Sequence, residues 1–315
     1  MTEAEGKGAI DLGKGLQLVK TDLETFFLYW ACYSDFWDPQ GLASKSNPQS
    51  EYSSYCYFII EDGKCIGGVI IRSNLLSRFF LIPPKTDAFL ILQQLKALLI
   101  SYSNENLPII VSAWGVRFRE DYQRVGFRLF EVRRWMIRPT ERFIVDWSKD
   151  LYIRPPDRKD IAILTELSME SYQGGVDEFI FLQRLDLNDP GSKVQEIFKN
   201  FNEELISFFQ GETGPALIDA SSVVFEKSSN RLVGACLMSE WNGFPLVYDL
   251  CVSKPFQGKA IATNLLKHAL TVLYKKHKLV RLFVTLGNPA ETLYYNLGFF
   301  PGMPNETLAI FPSKA

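Results

Sequence analysis

Apolar residues fill Leu246 to Val252 almost without interruption, a stretch with Pro and Gly breaks the run, and apolar positions return at Ile261, Leu265, Leu266, Ala269, Val272 and Leu273. The first pattern predicts a strand and the second a helix, with Ser253 to Ala260 as a tight turn between them. Leu282 to Leu286 predicts another strand. Gly287-Asn288-Pro289 then opens a short helix, with Asn as its cap and Pro in its first turn, and Gly298-Phe299 closes it.

The earlier part of the chain repeats this pattern. Gly63-Lys64-Cys65-Ile66-Gly67-Gly68-Val69-Ile70 parallels Asn230-Arg231-Leu232-Val233-Gly234-Ala235-Cys236-Leu237, each a hairpin turn entering a strand. Tyr122 to Phe127 parallels Tyr294 to Phe299, and the intervals between anchors agree, 59 residues from Gly67 to Gly126 and 64 from Gly234 to Gly298. Two tandem copies of one fold are expected, 16–140 and 150–315. The boundary falls after the strand Trp135-Met136-Ile137, before a new one at Tyr152-Ile153-Arg154-Pro155.

The turn after Val252 has a chemical use. Small residues from Gly258 to Ala262 let backbone N–H groups converge beside the positive end of a helix, an anion site that needs no charged side chain. Together, Val252-Ser253-Lys254-Pro255-Phe256-Gln257-Gly258-Lys259-Ala260-Ile261-Ala262 and Asn288-Pro289-Ala290-Glu291-Thr292-Leu293-Tyr294-Tyr295-Asn296-Leu297-Gly298-Phe299 resemble, in order and spacing, the two signatures of the GNAT superfamily of acyl-CoA-dependent N-acetyltransferases. One departure is Ala260, where the family usually has Gly.

The resemblance implies a mixed α/β sheet in each of two tandem GNAT-like domains, with acetyl-CoA as cosubstrate and no metal. It implies direct transfer of the acetyl group to a primary amine in a ternary complex. The cofactor would lie along Leu250, Cys251 and Val252, on Gln257, Gly258, Lys259, Ala260, Ile261 and Ala262, and near Asn288 and Tyr294. Backbone N–H of Cys251 or Val252 would polarise the thioester carbonyl. Asp249 matches the place of the family's carboxylate base; the alternatives are an exposed strand-face Asp or a partner for a nearby Arg. Tyr294 matches the tyrosine that serves the leaving thiolate; the alternative is a packed aromatic, with Tyr295 next in register. In the first copy, Ile82-Pro83-Pro84-Lys85-Thr86-Asp87-Ala88-Phe89 lacks glycine and puts Asp87 where a diphosphate would sit, so this copy is expected to be degenerate.

Composition narrows the classes. The 315 residues are 47% hydrophobic and 14% aromatic, enough for two cores, and a net charge of −2 gives no bias toward nucleic acid or membrane. No apolar run is long enough to span a bilayer, and residues 1–15 lack a secretory centre. Five cysteines, Cys32, Cys56, Cys65, Cys236 and Cys251, without metal spacing are expected to be reduced core residues of a cytoplasmic monomer or homodimer. His268 and His277 read as helix-surface residues. The eight arginines from Arg117 to Arg142 read as a solvated face or interface. From Asp160 to Glu212 there are eleven Asp or Glu against three Lys or Arg, which favours a cationic small-molecule amine as acceptor. The competing reading is a non-catalytic acyl-CoA-binding or regulatory module.

Overall fold

The computed structural model describes residues 9–34, 54–178, 180, 190–241 and 243–311. They form two units, one of residues 1–133 with 303–315 and one of residues 134–302.

In the first unit β1 (Ile10–Gly13), β2 (Leu16–Lys20), β3 (Cys56–Glu61), β4 (Lys64–Arg72), β5 (Leu75–Leu81) and β6 (Ile109–Trp114) follow in spatial order, each antiparallel to the last except β6, which runs parallel to β5. The parallel step needs a crossover, supplied by α2 (Phe89–Tyr102). Its buried Ile91, Leu92, Leu95 and Leu99 make one stripe at helical spacing. On the opposite face Phe26, Phe27 and Trp30 of α1 (Leu23–Tyr33) pack with Ile70 and Phe80. Strand alternation sorts the two cores: Val69 and Ile71 join α2, and Ile70 joins α1. A short α3 (Arg119–Arg124) follows β6.

The second unit repeats the plan. β8 (Leu151–Arg154), β9 (Ser222–Glu226), β10 (Leu232–Trp241) and β11 (Phe244–Val252) are successively antiparallel, and β12 (Leu279–Thr285) runs parallel to β11 after the crossover α6 (Ile261–Leu273). One face carries α6, with Leu265, Leu266, Ala269 and Leu270 against Cys236 and Met238. The other carries α4 (Ile161–Tyr172) and α5 (Pro190–Gln210), with Leu164, Leu167, Leu205 and Phe208 against Ala235 and Leu237. α7 (Ala290–Asn296) follows β12.

The last strands are exchanged. β7 (Arg128–Pro139) belongs to the second unit from Arg134 onward, while β13 (Phe300–Ile310) belongs to the first from Met303 onward. There β13 pairs antiparallel with β6, from Asn305 opposite Trp114 to Ile310 opposite Ile109. The strand Trp135 to Ile137, expected to close the first copy, therefore lies in the second unit, where Trp135 stacks on Trp241 at 5.2 Å and Met136 is fully buried. Spatial units and sequential copies are thus different partitions of the chain.

Candidate functional site

The strand, turn and helix order read from the apolar pattern occurs as β11, a 3-10 turn at Lys254–Phe256, and α6. Residues 257–260 are exposed. Gly258 has φ +76°, and Ala260, the residue before α6, is left-handed with φ +60°. That explains why glycine would suit position 260: an L-residue there holds its Cβ too close to the following carbonyl. The first helical hydrogen bond runs from Asn264 N to Ala260 O at 2.9 Å. Among the described residues no internal acceptor takes the amides of Gly258 to Thr263, so they face outward at the start of a 13-residue helix. Convergent free donors at a helix N-terminus fit a diphosphate. The Gln257 side chain is spent internally, donating to Val252 O at 3.1 Å. Lys259 lies over the Phe256 ring at 4.5 Å, and Lys254 Nζ reaches Gln173 at 3.5 Å.

The end of β11 is arranged for a second set of amides. Its parallel register with β12 is confined to Leu246 opposite Arg281, and past that point the edge toward β12 is open. One extra residue, Tyr248, is inserted opposite β10 between Asp249 and Val247. Ser253 N donates to Val233 O at 3.0 Å, which fixes the alternation beyond it. Cys251, opposite Ala235, turns its N–H and carbonyl toward β10, whereas Leu250 and Val252 turn theirs to the open edge. Of the two amides expected to polarise a carbonyl, Cys251's is thus committed to the ladder. Val252's faces the open side and donates to Ser171 Oγ at 3.3 Å.

Asp249 is neither an exposed strand-face residue nor an arginine partner. Tyr172 Oη donates to its Oδ1 at 2.6 Å and Ser168 Oγ to its Oδ2 at 3.1 Å. The two donors stand four residues apart on the face of α4 turned toward β11. Burial holds the carboxyl above the ordinary Asp value and the Asp177 charge adds to this, while the Tyr172, Ser168 and Leu250 N–H hydrogen bonds work in the opposite sense. Tyr172 itself is pushed well up, by burial first and then by the Asp249 charge.

Tyr294, on α7, is 7% exposed with its ring edge-on to Phe299 at 5.9 Å. Among the described residues its hydroxyl has no hydrogen-bond partner. Burial raises its titration, and the charges of Cys236, Asp249 and Asp177 add in the same direction. Tyr295 is 46% exposed and accepts a hydrogen bond from Arg134 at 3.3 Å, so the register favours Tyr294 as the inward tyrosine. Asn288 is fully engaged: its Oδ1 takes Ala290 N at 2.8 Å, and its Nδ2 donates to Asp177 at 2.7 Å. It shapes the start of α7.

Residues that the sequence reading passed over now stand out. Ser168, Ser171 and Tyr172 lie on the inner face of α4, and Asp177 takes Thr285 Oγ1 at 2.5 Å as well as Asn288. The signal was polar side chains at helical core spacing, which counting acids in a window does not register. That count also overstated the free charge. Asp160 is bound by Arg154 at 2.6 and 2.7 Å, and Glu170 by Arg231 at 2.8 Å and by Ser253 and Lys254 N at 2.8 and 3.1 Å. Residues 181–189 of the segment lie outside the described residues.

Other expectations resolve individually. Cys32 is exposed on α1, turned away from Phe26 and Trp30, whereas Cys56, Cys236 and Cys251 are buried and Cys65 is half-buried. Five of the eight arginines form ion pairs, Arg119 with Glu306, Arg124 with Asp121, Arg133 with Glu131, Arg134 with Glu291 and Arg138 with Glu141. His268 is partly buried, which lowers its titration. No helix among the described residues is long and apolar enough to cross a membrane.

Comparison with known proteins agrees with this geometry. Residues 195–306 match the family model described as an acetyltransferase (GNAT) domain. A comparison with curated proteins finds no match. Among solved structures, a GCN5-related N-acetyltransferase from Sphaerobacter thermophilus shares 14% identity over 95% of this chain and 96% of its own, with a TM-score of 0.60. A tandem GNAT protein from the clavulanic acid biosynthesis pathway shares 10% over 94% and 98%, with a TM-score of 0.52. A GCN5-related glucosamine N-acetyltransferase region of a fungal multi-domain GH3 β-N-acetylglucosaminidase shares 9% over 94% of this chain and 38% of that one, with a TM-score of 0.57. At these identities the likeness is one of fold, extending over nearly the whole chain. Residues 195–306 are thus similar to the GNAT acetyltransferase domain, within a chain whose fold resembles that of GNAT structures.

Proposed function

We propose that the unit of residues 134–302 transfers the acetyl group of acetyl-CoA to a primary amine by direct attack, with both substrates bound at once. The observation that carries this reading is Asp249, a carboxylate oriented by two hydroxyls beside an open strand edge and raised in titration by its surroundings. A base of this kind accepts the proton of an ammonium more readily than an exposed Asp does. Acetyl-CoA, when bound, supplies the acyl thioester. The outward amides of Gly258 to Ala262 would hold its diphosphate, and the Val252 amide, on exchanging Ser171 Oγ for the ligand, would face its carbonyl. Tyr294, a buried phenol on α7, would donate to the departing sulfur. The acceptor would be a small amine, with Asp177 and Asp249 supplying the negative potential for a cationic one. All of these residues fall within the sequential copy 150–315, and the copy 16–140 has no glycine in the stretch that corresponds to the diphosphate turn.

Two measurements test this. Acetyl-CoA should raise the Tm of the wild type and leave that of Gly258→Asp unchanged. Release of free thiol should follow when a panel of amines is added. Binding without thiol release from any amine would reduce the protein to an acyl-CoA-binding module.

A further inference from the structure

Val252 N is the amide that the proposed reaction needs, and it is already taken. It points to the edge beyond the pairing of β11 with β12, which is confined to Leu246 opposite Arg281, so β12 supplies it with no carbonyl. Ser171 Oγ provides the acceptor instead, taking the N–H at 3.3 Å from the last turn of α4. Val252 is only 7% exposed, and without that hydroxyl its amide would be a buried donor left unpaired. The serine therefore fills the direction from which a thioester oxygen must approach.

Ser171 cannot leave together with its helix. One residue before it, Glu170 Oε1 accepts Ser253 Oγ at 2.8 Å and Lys254 N at 3.1 Å, and Arg231 holds the other carboxylate oxygen at 2.8 Å. One residue after it, Tyr172 Oη donates to Asp249 at 2.6 Å, and a turn earlier Ser168 Oγ reaches the same carboxylate at 3.1 Å. The last turn of α4 is thus fixed to β11, and to the residues just beyond it, on both sides of Ser171. The Ser171 hydroxyl has no second partner among the described residues. Rotation about its χ1 moves it off the amide and leaves those other bonds in place. A thioester oxygen can replace it in a one-for-one exchange.

We propose that Ser171 is a specificity residue, an internal substitute for the thioester oxygen, whose hydroxyl sets how tightly acetyl-CoA is held relative to CoA. The proposal rests on the acetyl-transfer reading of this unit. When acetyl-CoA binds, Val252 N–H passes from Ser171 Oγ to the carbonyl oxygen. CoA has no such oxygen, so the hydroxyl stays on the amide while CoA is bound. The exchange returns one hydrogen bond for one, and the carbonyl adds little to the affinity of the bound thioester. The amide's advantage comes later, when negative charge grows on that oxygen as the amine adds.

The test is isothermal titration calorimetry of the whole chain with acetyl-CoA, CoA and S-ethyl-CoA, which keeps the two carbons and lacks the oxygen. In Ser171→Ala the Kd of acetyl-CoA should fall about 3- to 10-fold, the weight of one hydrogen bond, while those of CoA and S-ethyl-CoA stay within about 2-fold. Alanine is the strongest helix former, so this variant keeps α4. Ser171→Thr retains a hydroxyl and should retain the wild-type ratio of acetyl-CoA to CoA affinity, whereas a merely structural serine would move all three ligands together. An acetyl-CoA affinity unchanged or weaker in Ser171→Ala, a gain shared by all three ligands, or a Ser171→Thr ratio that follows Ser171→Ala would overturn the proposal and leave the acetyl-transfer reading standing. A wild type that binds none of the three would overturn both.

Discussion

Asp249 sits between opposing influences. Burial favours its protonated form, the hydrogen bonds from Tyr172 and Ser168 favour the charged one, and burial prevails. Acetyl transfer should therefore decline toward acid at a higher pH than an exposed Asp would set. Tyr172→Phe removes a donor that stabilises the charged form, so the acid limb of the kcat profile should move further up in pH, which a merely structural tyrosine would not cause. Stability has the opposite dependence. The folded chain binds this proton more tightly than the unfolded chain, so the ionised carboxyl costs stability, a cost that grows as pH rises from the unfolded value through the raised folded one. Asp249→Asn should lower kcat by about 10²-fold or more while leaving Tm at neutral pH equal or higher, as a melting curve would show. Tyr294→Phe keeps the ring that packs on Phe299 and should cost roughly 10-fold in kcat with little change in Tm.

At the level of elements, the turn before α6 holds an alanine in a conformation suited to glycine. Relief of about 1–2 kcal/mol of backbone strain, less about 0.4–1 kcal/mol for the freer unfolded chain, makes Ala260→Gly stabilising by about 0.5–1 kcal/mol. A denaturant midpoint shifted upward at constant m-value would show it. Ala260→Val should move the midpoint down, because a β-branched side chain tolerates this region least. This part of the molecule was legible in advance, since β11, α6, β12 and α7 are each specified by local apolar period and by Pro, Gly and Asn at their ends. The inward polar face of α4 was not, because Ser168, Ser171 and Tyr172 acquire meaning only when a strand some 80 residues away places Asp249 and Val252 N against them.

For the whole molecule, the exchange of last strands decides which half depends on which residues. Two copies could be read from their repeated hairpins and Tyr-to-Gly-Phe turns, yet nothing local in β7 or β13 says which sheet it will join. That choice is made by edge pairing and core fit, such as Leu308 buried among the first unit's apolar residues and Glu306 bonded to Arg119. A chain ending after Gly302 should accordingly lose amide hydrogen-exchange protection in β6, whose edge β13 covers. The acetyl-CoA response of the second unit should persist in the same sample.

The pairing of β6 with β13 also imposes an order on biosynthesis. Ser112 and Asn305 are 193 residues apart, and at ribosomal rates that distance takes about 10–40 s to cover. Throughout that interval β6 has emerged without the partner that finishes its sheet. The portion of the protein made first must therefore be among the last to mature.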